Sequence, residues 1–248
     1  MFTYQAPKNL LKDKVILVTG AGRGIGRVAA LTYARHGATV ILLGRSTETL
    51  EAVYDEIELN QWPQPAIYPL NLESAGDIDF CHLAETIETE FGRLDGLLHN
   101  ASLLGELQPI SQFPTETWKR IMQVNLNSAF MMTRELLPLL RLSEKASVIF
   151  TSSGVGHRGR AHWGAYSVSK FATEGLMQVL ADEEDGISAV RANSIDPGGT
   201  RTSMRASAFP GEDPEKLPTP EDIMPVYLYL MGDDSQNING QAFHAQQS

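Results

Sequence analysis

Apolar residues along this chain alternate between two patterns. Short apolar runs, most with Val, Ile or Leu, occupy 15–18, 39–43, 94–99, 148–151 and 188–195, with a weaker one at 66–70 and a last short one at 241–244. Such runs, closed by turn residues, predict buried strands. Between them lie stretches with apolar positions three and four apart, which predict helices over 25–36, 47–59, 77–91, 166–182 and 221–231, and one or two long helices over 115–142. In 47–59, Leu50, Val53, Tyr54 and Ile57 fall near one face. Strand and helix alternating in this way imply parallel βαβ units, with about seven strands and helices on both faces of the sheet.

The length, 248 residues, suits one α/β domain, and no Gly-, Ser- or Pro-rich linker divides it. The least regular stretch is 203–220, with Pro210, Pro214, Pro218 and Pro220, and its 203–218 portion is expected to be a substrate loop. A net charge of −10 disfavours nucleic acid and anionic membranes as partners. Cys81 is the single cysteine and is expected to be a small buried side chain. No apolar run approaches the roughly 18 residues that span a bilayer, and the polar first fourteen residues do not read as a signal peptide. A cytoplasmic location is the default expectation. The six histidines show no metal-ligand spacing, so no metal site is expected.

The first strand runs into Thr19-Gly20-Ala21-Gly22-Arg23-Gly24-Ile25-Gly26, and a helix follows. A pyrophosphate needs backbone N–H groups at a helix N-terminus and a chain without β-carbons at the point of approach. This loop, from Gly20 through Gly22, Arg23, Gly24 and Ile25 to Gly26, offers both. Its spacing resembles that of the short-chain dehydrogenase/reductase family. The resemblance covers residues 11 to about 245 and implies a single-domain, Rossmann-type doubly wound sheet binding a nicotinamide dinucleotide.

The second strand ends Leu42-Leu43-Gly44-Arg45, without the carboxylate that commonly binds an NAD ribose. A guanidinium fork matches a phosphate, so Arg45, with Arg23 in the glycine loop, points to NADP as cofactor. By the resemblance, Asn71 and Leu72 after the third strand would meet the adenine, and Asn100 and Ala101 after the fourth would line the cofactor. Asp196-Pro197-Gly198-Gly199-Thr200-Arg201-Thr202 follows the sixth strand, where Pro197, Gly198, Thr200 and Thr202 would flank the nicotinamide. Asp196 reads as a turn residue. Arg201 is either solvated or in contact with an anionic substrate.

Tyr166 and Lys170 stand four apart on a predicted helix, so both face one site, roughly 40° apart around the axis. A free phenol titrates near pH 10, and an adjacent ammonium is expected to lower that value, making a general acid/base. Ser153 ends the fifth strand thirteen residues before Tyr166, the spacing of the family's catalytic serine. Ser152, its competitor, points to the opposite face of the strand. By the same resemblance Asn125 would hold a water linking Lys170 to solvent. Tyr166 and Lys170 are also expected to bind cofactor.

Together these features imply an NADP(H)-dependent oxidoreductase that transfers a hydride between nicotinamide and a carbonyl or alcohol substrate. Leu103, Leu104, His157, His162, Trp163 and Met204 are candidates for the pocket wall. The stretches 159–166 and 200–210 resemble an oxidoreductase type of Gram-negative bacteria within the family, which implies a reductase without an assured natural substrate. Two other readings are a catalytically silent NADP-binding sensor or scaffold, and a sugar-nucleotide epimerase or dehydratase, for whose extra domain the chain leaves little room. The resemblance also implies a homo-oligomer, dimer or tetramer, with Leu126, Phe130, Phe171 and Met177 in the contact or in the core.

Overall fold

A computed structural model describes residues 1–246. Seven parallel strands form one sheet: β1 (Val15–Thr19), β2 (Thr39–Gly44), β3 (Ala66–Pro69), β4 (Gly96–His99), β5 (Ser147–Thr151), β6 (Arg191–Asp196) and β7 (Ala242–His244), in the order β3-β2-β1-β4-β5-β6-β7. The helices are α1 (Gly24–Arg35), α2 (Thr47–Leu59), α3 (Asp77–Phe91), α4 (Thr115–Met122), α5 (Ser128–Leu140), α6 (Gly164–Glu184), α7 (Ser203–Ala208) and α8 (Met224–Met231). This is the doubly wound Rossmann-type α/β fold.

The period-2 alternation of strand side chains builds two cores. Ile16 and Val18 of β1 pack with α1, α2 and α8. Their neighbour Leu17 packs on the other face with α3, α5 and α6. Because both faces are covered, the central strands are apolar throughout rather than alternating. Strand order reverses between β1 and β4, and that crevice at the strands' C-terminal ends is where such folds bind ligands. Thr19 ties its two sides together: Oγ1 donates to Leu98 O at 3.1 Å and accepts from Asn100 N at 2.9 Å and Ala101 N at 3.0 Å.

Three expectations need correction. The stretch 115–142 is neither one helix nor two cleanly separate ones: α4 passes through a π-helical turn, Gln123–Asn127, into α5. There the buried Asn125 side chain bonds the backbone of Leu103 in the loop after β4 instead of facing solvent. Cys81 is exposed, not buried. Phe80, Leu83 and Ile87 form the inner stripe of α3, and position 81 falls on the opposite side with Glu85. Met177, expected in a contact or in the core, is fully buried in the second core. The stretch 203–220 is also more ordered than expected, holding α7 and a turn at Pro214–Lys216.

Candidate active site

The glycine loop forms the turn from β1 into α1. Gly20 has φ +67°, a conformation costly for any residue with a β-carbon. A β-carbon at Gly26 would collide with the Gly20 carbonyl and the Asn100 amide, so this position lets the helix pack against the strand ends. Arg23 is extended and directly precedes α1, whose first-turn N–H groups, beginning at Gly24 and Ile25, face the loop. Gly22 packs against Thr49 of α2, and the methyl of Thr202 approaches Gly24 from the far side of the crevice. A cradle built of backbone donors, without side-chain bulk, fits a dinucleotide pyrophosphate.

Arg23 and Arg45 are both exposed at this crevice. Among the described residues neither guanidinium has an ion-pair partner. Arg45 nonetheless lies close enough to Glu73 to help depress that carboxyl, after the larger effect of its bonds from Arg120. Asn71 is exposed and its amide oxygen accepts from Glu73 N at 3.2 Å, so it shapes the turn after β3, while Leu72 is buried beneath. Asn100 Nδ2 donates to Thr19 O at 3.3 Å.

On the opposite side of the crevice, β6 ends in a loop braced on itself. Asp196 Oδ1 accepts from Gly198 N at 2.9 Å, as expected of a turn residue. Thr200 Oγ1 donates to Pro197 O at 2.9 Å. Gln246 donates to Pro197 O and Gly199 O, a brace with no sequence signal. Thr202 caps α7 by accepting from Arg205 N at 3.2 Å. Arg201 is neither free in solvent nor turned to the pocket: it pairs with Glu215 at 3.2 Å and donates to Leu217 O, fastening the loop.

The residues expected to handle the proton meet at the end of β5. Tyr166 and Lys170 lie one turn apart on α6, with Lys170 Nζ 5.6 Å from the phenol ring centroid. That ammonium donates to Thr151 O at 2.7 Å. Burial, partly countered by Glu174 and Asp196, lowers Lys170 to about 8. The expected acidic phenol is not found in this state. Burial pushes Tyr166 up to about 12; the Ser153 hydroxyl beside it counters part of the shift, and Asp196 adds to it. Withdrawal from water outweighs the amine, whose proton is spent on a carbonyl. Ser153 has extended backbone and partial exposure, whereas Ser152 is buried with no partner for its hydroxyl among the described residues.

Asn125 is buried below this cluster. Its amide accepts from Leu103 N at 2.7 Å and donates to Leu103 O at 3.0 Å and Ser169 Oγ at 3.0 Å. A cavity of about 10 Å³, room for about one water, is lined by Thr19, Asn125, Ser128, Thr151, Lys170 and Thr173. Glu174, which sequence reasoning missed, sits one turn beyond Lys170 on the same face. Its carboxylate accepts from Ser194 Oγ at 2.8 Å and lies 3.4 Å from His157 Nε2. The i+4 spacing from Lys170 was the available signal.

The pocket mouth is aromatic. Trp163 is buried, with its ring 5.8 Å from that of Tyr166 and 5.7 Å from that of Phe209, a residue the sequence did not single out. Leu103, Leu104 and Met204 are partly exposed, and the His162 carbonyl accepts from Gln108 N at 3.0 Å. His157 faces Glu174 and the ring of His244, away from that wall.

Comparison with known proteins shows the family of the chain. A family model for short chain dehydrogenase matches residues 14–213. The uncharacterised oxidoreductase YciK of Escherichia coli K12 is 56% identical over 243 residues, covering 98% of this chain and 96% of its own. A solved structure from Pseudomonas syringae, assigned to the short chain dehydrogenases, superposes with a TM-score of 0.98 at 62% identity, covering 99% of this chain and 100% of that one. A chain from E. coli CFT073, solved in complex with NADPH, superposes at 0.95 with 56% identity, covering 97% and 100%.

Proposed function

Since the chain belongs to the short chain dehydrogenase family and is an oxidoreductase, we propose that it interconverts a carbonyl and an alcohol using NADP(H). The observation that carries this reading is the meeting of Ser153, Tyr166 and Lys170 at the end of β5, across the crevice from a glycine cradle with two arginines that have no ion-pair partner among the described residues. Gly20, Gly22, Gly24, Ile25 and Gly26 would hold the pyrophosphate, and Arg23 and Arg45 the additional phosphate of NADP. Asn71, Leu72, Asn100 and Ala101 would line the adenine side, and Pro197, Gly198, Thr200 and Thr202 the nicotinamide side. The bound cofactor supplies or accepts the hydride.

Every other task falls to the chain. In reduction, the Ser153 and Tyr166 hydroxyls hydrogen-bond the substrate oxygen, where negative charge develops. Tyr166, held protonated by burial, donates its proton to that oxygen. Lys170 stabilises the resulting phenolate and binds the cofactor ribose. Asn125 fixes the backbone beside the small cavity, where polar groups of Thr151, Thr173 and Lys170 face apolar Val124, Met132 and Phe150, and a water there relays a proton to Lys170. Residues 203–218 with Trp163, Leu103 and Leu104 enclose the substrate. Phe130 on α5 and Phe171 on α6, both largely exposed, with the partly exposed Leu126, support pairing of copies through these helices.

The test is oxidation of NADPH and NADH against a panel of ketones, aldehydes, quinones and oxoacyl thioesters. The expected result is a KM for NADPH at least tenfold below that for NADH, with Arg45→Ala erasing most of the difference. Equal KM values, unaffected by the substitution, contradict the NADP assignment.

A further inference from the structure

The segment joining the serine and the tyrosine of the site, residues 152–165, carries His157, Arg158, Arg160 and His162 and no carboxylate, in a chain of net charge −10. Within it, Arg160 is placed by stacking. Its Cζ lies 5.8 Å from the Trp163 ring centroid and 5.2 Å from that of Phe209. Phe209 is flanked on another side by Arg205 at 3.8 Å. The three arginines at this mouth are used differently. Arg205 is neutralised by a two-pronged pair with Glu212, both bonds 2.6 Å. Arg201 is neutralised by Glu215. The Arg160 guanidinium has no ion pair or hydrogen bond among the described residues, and the residue is exposed.

A guanidinium stacked on aromatic rings is held in orientation while its in-plane N–H donors stay free, an arrangement suited to two-pronged capture of a carboxylate or phosphate. The stack leads straight to the chemistry. From Arg160 to Trp163, and from Trp163 to the Tyr166 ring, are two steps of 5.8 Å each.

We infer that the substrate carries an anionic group, a carboxylate or a phosphate, held by Arg160 against Trp163 and Phe209 while its carbonyl lies at Tyr166. This rests on the oxidoreductase reading of the same site. The two-step distance calls for a spacer between the anion and the carbonyl rather than adjacent atoms. The loop acids Glu212 and Glu215 serve the selection indirectly: by occupying Arg205 and Arg201 they leave one guanidinium for the ligand and keep the mouth from being uniformly basic.

The test uses three matched ligands: a methyl ketone bearing a terminal carboxylate, its methyl ester, and the corresponding phosphate. Binding to the protein loaded with NADP+ is followed by calorimetry, and turnover with NADPH by kcat/KM. Wild type is expected to bind one or both anions at least tenfold tighter than the ester, with the preference shrinking as salt is added. The arm that binds tighter identifies carboxylate or phosphate. Arg160→Gln should bring the ratio close to one, and Arg160→Lys should retain part of it, with NADP+ affinity reporting that each variant is folded. No anion preference in wild type, a preference that survives Arg160→Gln, or no binding of either anion at 10 mM, overturns the inference. Anion selectivity lost in Arg160→Gln without any hydride transfer would keep Arg160 as an anion site but overturn its assignment to a reduced substrate, together with the reductase reading. Turnover indifferent to the anion would do the reverse.

Discussion

Lys170 is an ammonium that burial works against. Its value falls from 10.5 to about 8, so it loses its charge within a range accessible to kinetics. If that charge stabilises the phenolate left after proton donation, kcat/KM for reduction should fall as pH rises through about 8. In the free enzyme Tyr166 cannot cause such a limb, because its own value lies near 12. A profile flat from pH 6 to 10 would detach Lys170 from the proton step. At this scale the sequence was informative about identity and silent about environment. That Tyr166 and Lys170 share a face was legible from helical spacing, while Ser153 and the roles of all three came from resemblance to the family. Their proton affinities were not legible, because burial and the Thr151 carbonyl are set by the packing of α6 on β5. Arg201 misled for the same reason: its partner Glu215 lies fourteen residues on, across a loop without periodicity.

Elements meet through a few side-chain clamps. Thr19 joins the ends of β1 and β4 at the crevice, and its hydroxyl satisfies two backbone N–H groups that belong to no ladder. Thr19→Val keeps the shape and strands both donors. At about 1–3 kcal/mol for each buried group left unpaired, and with both donors only part-buried, the variant should lose at least about 2 kcal/mol of stability in urea titration and bind NADPH more weakly. A loss under about 0.5 kcal/mol would show that the clamp is dispensable. Strands and most helices were legible because both follow hydrophobic period. The π turn in 123–127 was not, since one extra residue in a turn leaves the apolar spacing nearly unchanged. The exposure of Cys81 was legible in principle from its place beside Phe80 on α3, yet residue type suggested the opposite.

For the molecule as a whole, buried titratable groups set the acid limit. His99 is fully enclosed, bonded to Thr133 Oγ1 at 2.8 Å and stacked on Phe150, and burial lowers it from 6.5 to about 3. Between those values the unfolded chain takes up a proton that the native state refuses. Stability therefore drains away as pH falls from about 6.5 towards 3, by up to about 1.4 kcal/mol per pH unit. Thermal unfolding of His99→Gln should show a shallower acid decline than wild type, and parallel declines would assign acid sensitivity elsewhere. The general architecture was legible from alternation of strand and helix, because a parallel sheet with both faces covered is the arrangement that buries such a pattern. At the pocket mouth Trp163 was singled out but Arg160 and Phe209 were not, because Phe209 joins them from a segment about fifty residues away.

The central claim is that this crevice moves a hydride to a carbonyl whose oxygen is protonated by Tyr166. The most direct measurement uses NADPH carrying deuterium at the transferable nicotinamide carbon, with a carbonyl substrate drawn from the panel and the product alcohol analysed by mass spectrometry. The account predicts an alcohol one mass unit heavier from wild type, and from Tyr166→Phe a rate lower by at least about a hundredfold with NADPH affinity nearly unchanged. Tight NADPH binding with no deuterated product from any carbonyl, or labelled product formed equally fast by Tyr166→Phe, would contradict it.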